Sequence, residues 1–140
     1  MTTQVKQAVR LEGVTVLADD VPALARFYVH GFQLRVDVEE PDYVALGGPG
    51  IRFAVFSRRQ MGPNTHDHPD YRTARAGQSF ELNFECSDRA EVDRRFERLL
   101  TLGATSTAAP TEKHWGHYTG FFADPEGNIH SLFAVLEQPG

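Results

Sequence analysis

Residues 121–133 read FFADPEGNIHSLF, and the turn at their centre sets the architecture. An Asp-Pro start followed by a glycine that tolerates positive φ makes a tight turn between two paired strands. The flanks agree: Tyr118 to Phe122 and Ile129 to Val135 are short runs of strand character. Upstream, a further strand is expected near Ala104 to Ala108. Before it, Val92, Phe96, Leu99 and Leu100 recur at helical spacing, with Gly103 as the stop. Asp88 with Glu91 three residues on has the pattern of a capping box. Phe80, Leu82, Phe84 and Cys86 alternate as a strand ahead of that helix. The second half therefore reads strand, helix, strand, strand, strand.

The first half has the same order. Val14 and Val16 alternate in a strand, and Asp19 and Asp20 are N-cap candidates with Pro22 in the first helical turn. Val21, Leu24, Phe27 and Tyr28 form an apolar stripe, and Gly31 is expected to end the helix in a left-handed conformation. Three strands follow, near 33–38, 43–46 and 51–56, separated by Glu40-Pro41-Asp42 and Gly47-Gly48-Pro49-Gly50. The helix caps Asp20 and Asp88 lie about half the chain apart, an internal repeat. The expected organisation is an N-terminal extension (1–10) and a single domain (11–136), with modules at about 11–58 and 79–136 joined by a loop (59–78). That loop is polar and exceeds the usual limit of about 12–15 residues, so it is a candidate flap over a cavity, with Tyr71 and Arg72 as contacts.

Composition narrows the function. With 140 residues, 41% apolar and 24% charged, the chain has globular values. A net charge of −5, with arginines scattered among carboxylates, argues against nucleic acid, whose binders cluster basic residues on one face. Cys86 is the only cysteine, which excludes an intrachain disulfide, and its place in an apolar alternation suggests an inert thiol. Neither a signal-like apolar core near the start nor a membrane-length apolar run is present, so a cytoplasmic location without membrane contact is expected.

The duplicated plan, with LADDVPALARFYVHGF and FFADPEGNIHSLF, resembles the vicinal oxygen chelate superfamily, which includes glyoxalase I, bleomycin-resistance proteins and extradiol dioxygenases. The resemblance runs from roughly Leu11 to Val135. It implies an α+β fold: two βαβββ modules forming a curved eight-stranded mixed sheet around a cavity, with helices on the outside. It also implies a homodimer, some members exchanging modules between chains. Metal-dependent members carry one His or Glu on the first and last strand of each module. Those places fall here on Gly13, on Ala54 (or Arg52 if the register shifts by two), on Glu81 and on Ser131. One carboxylate cannot hold a divalent ion that wants three or four donors, so no tightly bound metal and no cofactor is expected.

Strand alternation assigns the cavity face: Gly13, Thr15 and Leu17; Arg52, Ala54 and Phe56; Glu81, Asn83 and Glu85; Ile129, Ser131 and Phe133. Trp115, His117 and Phe121 lie beside them in Lys113-His114-Trp115-Gly116-His117-Tyr118 and the strand that follows. The candidate ligand contacts are Trp115, Arg52, Phe56, Asn83, His117, Phe121 and Ser131. Trp115 is either a lid stacking on a flat ligand or core packing. Glu81 is the candidate catalytic acid or base, or else a solvated carboxylate paired with Arg52. His130 reads as a packing histidine on the helix side. His66-Asp67-His68 is a possible two-imidazole metal site if the segment is extended. No nucleophile elbow surrounds any serine, and no phosphate-cradling loop is present. Three functions remain: a metal-free protein binding a small aromatic or hydrophobic molecule; a metal-independent lyase or isomerase using Glu81; and a divalent-metal lyase or dioxygenase with relocated ligands.

Overall fold

Asp20 and Asp88 each open a helix in the computed structural model, which describes residues 9–48, 50–74 and 77–137. The Asp20 carboxylate accepts the Ala23 N–H at 3.1 Å at the start of α1 (Val21–Phe32), satisfying one of the donors every helix start leaves free. Asp88 does the same for the Glu91 N–H at 2.8 Å. The reciprocal half of that capping box is not made. Glu91 turns to Arg94 and Arg95, 2.8 and 2.7 Å away, because guanidinium donors one turn on bind a carboxylate more strongly than a neutral N–H. Met61–Asn64 forms a single helical turn, α2, and Arg89–Thr101 forms α3.

Gly31 does not end α1, contrary to expectation. The helix continues to Phe32, and Gln33 takes the left-handed position at φ 55°. Gly31 is needed for a different reason: a Cβ there would lie 2.6 Å from Leu99 Cδ2 on α3. Its missing side chain lets the two helices touch, and its carbonyl accepts a 2.8 Å hydrogen bond from Arg95.

The first module contributes β1 (Gly13–Ala18), β2 (Arg35–Glu40), β3 (Tyr43–Gly47) and β4 (Arg52–Ser57), ordered β1-β4-β3-β2 with β1 parallel to β4. The second contributes β5 (Asn83–Glu85), β6 (Thr105–Glu112), β7 (His117–Ala123) and β8 (Ile129–Val135), ordered β5-β8-β7-β6 with β5 parallel to β8. The α+β class and the paired βαβββ modules are as expected, the eight strands being divided four and four. β5 is shorter than the alternation from Phe80 suggested, and Phe80 is 63% exposed. Its partner strand begins at Ile129, whose backbone N–H and C=O are both taken by the Gln78 side chain, at 2.7 and 2.5 Å. No ladder is left for residues 79–81.

Each helix lies on the back of its own sheet, and the two backs meet. Val16, Leu24, Val55, Phe96, Phe122 and Leu132 belong to one shared core. Phe27 and Phe32 of α1 reach Phe122 and Phe84 of the second sheet, and Phe53 of the first sheet lies 6.4 Å from Phe84, ring to ring. The faces carrying Thr15 and Ala54 on one sheet, and Asn83 and Ser131 on the other, therefore turn away from each other.

The DPEGN turn clasps the modules together. Asp124, 3% exposed, accepts from the Tyr28 hydroxyl at 2.5 Å and from the backbone N–H groups of Glu126 and Asn128. Glu126 reaches across to α1, where its carboxylate accepts the N–H groups of Asp19 and Asp20 at 2.9–3.1 Å. A negative group there also complements the positive end of the helix dipole.

Candidate functional site

The two faces turned away from the core carry most of the expected site residues, in separate sets. On the first sheet, Gly13 pairs with Arg52, Thr15 with Ala54 and Leu17 with Phe56. Alternation places all six on the outer face, beside Ala45 and Tyr43 of β3. Small residues at the centre leave a shallow floor, and Phe56 meets Tyr43 edge-on at 6.2 Å. Arg52 does not pair with Glu81. Its Nε donates to the Glu12 carboxylate at 2.8 Å and its Nη1 to the Tyr43 hydroxyl at 3.1 Å. That hydrogen bond holds Glu12 below the usual carboxylate range and raises Arg52 further. The guanidinium lies over Gly13: a Cβ at residue 13 would sit 2.9 Å from Nη2.

On the second sheet, Asn83 pairs with Ser131 and Phe121 also faces Ser131. Ser131 donates to Asn83 Oδ1 at 2.6 Å. His117 stacks on Phe133 at 4.8 Å, with 15° between the planes. Trp115 stands at the tip of the β6–β7 hairpin, 52% exposed, where Gly116 takes φ 87° to close the loop. Phe121 carries the Lys113 ammonium above its ring at 5.8 Å. Asn83, Ser131, His117 and Phe121 thus share one face with Trp115 at its edge, while Arg52 and Phe56 belong to the other sheet. Glu81 is exposed and lies outside β5. Sequence reading missed Thr119, which is 3% exposed with a hydroxyl that has no hydrogen-bond partner. The alternation His117, Thr119, Phe121 would have placed it on this face. Tyr43 was missed because its strand is short and its role is a hydroxyl held by Arg52.

His66-Asp67-His68 is not extended. His66 and Asp67 both take left-handed backbone, φ 54° and 60°, so the two imidazoles do not project from one side. His68 Nδ1 instead accepts the Asp70 N–H at 3.1 Å, capping a 3-10 turn at Pro69–Tyr71, and Asp67 pairs with Arg72. Among the described residues no three His, Cys, Asp or Glu converge to hold a metal. Tyr71 and Arg72 line a polar hollow of about 530 Å³ with Asp20 and Arg58, at the start of α1. A second hollow of about 540 Å³ lies between α1 and β2. Neither joins the outer faces of the two sheets. Burial pushes the Cys86 thiol up to about 11, in keeping with an inert residue.

His130 packs on the core side, as expected, between Phe84 and Phe122 and 2% exposed. Its Nδ1 accepts the Leu82 N–H at 3.0 Å, so the folded imidazole is neutral. Burial lowers its pKa below the ordinary 6.5, with the Asp124 charge opposing. Below that value the unfolded chain takes up a proton that the folded chain refuses until a lower pH. His130 therefore contributes stability at neutral pH that is lost progressively as pH falls below about 6.5. The urea midpoint should fall further between pH 7.5 and 5.5 for the native chain than for His130→Gln. Parallel pH profiles would refute this.

Two βαβββ units, each backed by its helix and presenting a ring-lined outer face, define the scaffold. The family model for the Glyoxalase/Bleomycin resistance protein/Dioxygenase superfamily matches residues 10–131, and the chain belongs to that superfamily. Its fold is similar to a glyoxalase/bleomycin resistance protein/dioxygenase family enzyme from Burkholderia phytofirmans (TM-score 0.83, 22% identity, covering 91% of this chain and 100% of that one). It is also similar to a glyoxalase-related enzyme from Fulvimarina pelagi (0.79, 24%, 93% and 88%) and to a lactoylglutathione lyase from Agrobacterium tumefaciens (0.66, 20%, 91% and 95%). No curated protein matches the sequence. Among the described residues no helix is long and apolar enough to cross a membrane.

The metal that this fold family implies does not fit the residues present. Gly13 has no side chain and its space is filled by the Arg52 guanidinium; Ala54 is a methyl group; Asn83 and Ser131 are tied to each other. Glu81 and Glu85 offer carboxylates, both exposed, and among the described residues no third donor converges with them. A divalent ion needs several converging lone pairs, and this set supplies chiefly N–H and O–H groups.

Proposed function

We propose that this protein binds a small aromatic or hydrophobic molecule in a cup built from two copies of the chain, without a tightly bound metal, in the cytoplasm. The observation that carries the reading is the outward turn of both ring-lined faces from a single shared core. One chain alone presents two half-cups. A two-fold axis that lays the first sheet of one copy against the second sheet of the other completes two cups at once, the isologous arrangement commonest among homodimers. β1 and β5 end their sheets, and apposing copies also cover those edges. In each cup Arg52 and Phe56 come from one copy, and Asn83, His117, Phe121, Ser131 and Trp115 from the other. The buried, unpartnered Thr119 hydroxyl on the same face supports a polar ligand atom nearby. Aromatic walls with few polar groups match the usual lining of small-molecule sites. Catalysis by Glu81 lacks comparable support, since its carboxylate is exposed and makes none of the described hydrogen bonds.

Light scattering should give twice the 15.6 kDa chain mass. Titration with a naphthalene-based probe should quench the fluorescence of Trp115, the only tryptophan. Calorimetry should show Trp115→Ala weakening the probe by about tenfold, the loss of one ring contact. A monomer that nevertheless binds the probe removes the two-copy cup. Unchanged affinity in Trp115→Ala removes the ring from the site.

A further inference from the structure

The places where metal-dependent relatives gather lone pairs around a cation carry the opposite polarity here. A guanidinium has five N–H donors and no acceptor. In Arg52, the Nε–H goes to Glu12 and one Nη1–H to the Tyr43 hydroxyl. The described hydrogen bonds leave the remaining Nη donors unused, and Nη2 lies directly over Gly13. Two anchors fix the guanidinium plane, so its free edge is pre-organised. On the second sheet, Asn83 Oδ1 is occupied by the Ser131 hydroxyl, and the described hydrogen bonds leave the Asn83 amide N–H groups unused. The carboxylates near these groups are Glu12, already bound to Arg52, and Glu81 and Glu85, both exposed.

A hydrocarbon seated in the cup would strand these donors without water, which is costly. An oxyanion would satisfy them, and the bidentate geometry of arginine matches a carboxylate. We infer that the ligand carries a carboxylate or an equivalent oxyanion on its aromatic or hydrophobic frame, received by Arg52 over Gly13 with the Asn83 amide of the second copy donating from the opposite sheet. This deepens the two-copy cup proposed above and rests on it. Arg52 is then a specificity-determining cation on the outer face of the first sheet. Gly13 belongs to the same device, because a Cβ there would lie 2.9 Å from both Nη2 and the carbonyl oxygen of Arg52, so any side chain displaces Arg52 as a whole.

Calorimetry with 2-naphthoate and 2-naphthamide, nearly equal in shape and different in charge, tests the inference. The native dimer should bind the acid at least tenfold more tightly than the amide at pH 7.5. Arg52→Met should abolish the preference, weakening the acid far more than the amide, whereas Arg52→Lys should keep part of the preference. Gly13→Ala should reduce the preference with the charge intact. Equal binding of both probes, or an undiminished preference in Arg52→Met, overturns the inference and leaves the cup standing. Binding of neither probe overturns the cup and the inference together.

Discussion

Asp124→Ala will lose about 3–5 kcal/mol of stability, the scale seen when one partner of a buried charged network is removed. The carboxylate is buried and accepts from the Tyr28 hydroxyl, from the backbone N–H groups of Glu126 and Asn128, and from the Asn128 side chain. Alanine leaves all four donors facing a space that water does not readily fill, and each buried orphan costs about 1–3 kcal/mol. The turn also loses the constraint that aims Glu126 at α1, so the clasp between modules loosens. Tyr28→Phe is the contrast. It deletes one donor, leaves Asp124 three others, and should cost about 1 kcal/mol. Urea denaturation followed by circular dichroism measures both. Domains of this size are stable by about 5–15 kcal/mol, so Asp124→Ala should lower the urea midpoint markedly. A loss below about 1 kcal/mol would show that the turn, not its carboxylate, holds the modules.

Gly31→Val and Leu99→Ala should each destabilise, and the double variant should cost less than their sum. Leu99 is fully buried, and truncation to alanine removes apolar contacts and leaves a cavity, about 2–5 kcal/mol. Valine at 31 drives its Cβ into the space of Leu99 Cδ2, overpacking worth about 1–3 kcal/mol despite a small gain in helix propensity. Together, the new methyl groups enter the hole left by the leucine. The coupling should be at least about 1 kcal/mol in a double-mutant cycle. Strict additivity would mean that the helices separate under strain instead of sharing that contact.

These two sites show why the fold could be read from sequence and the packing between its two modules could not. Capping by Asp20 and Asp88, the apolar stripes and the DPEGN turn are local signals, and each appears where its pattern placed it. Gly31 misled because a glycine near a helix end has two uses, a left-handed cap and a close helix contact, and only the position of Leu99 distinguishes them. The extent of β5 was overestimated because alternation reports which face a residue takes, not whether a partner strand reaches it. Face assignment carried over well: Leu82, Phe84 and Cys86 pack inward, with Asn83 and Glu85 on the other side. What alternation cannot encode is the relation of the two sheets, which depends on contacts between distant residues such as Phe32 and Phe84. The same holds for the anchoring of Arg52 by Glu12 and Tyr43, three residues from three separate segments.

The clasp from residues 124–128 has a consequence during synthesis. The ribosome releases the first module well before Phe84, Phe122 and Asp124 emerge, so the rings of Phe27, Phe32 and Tyr28 wait on the nascent chain without their cover. For that interval the back of the first sheet is an adhesive surface, and a chain truncated before the final hairpin would keep it permanently.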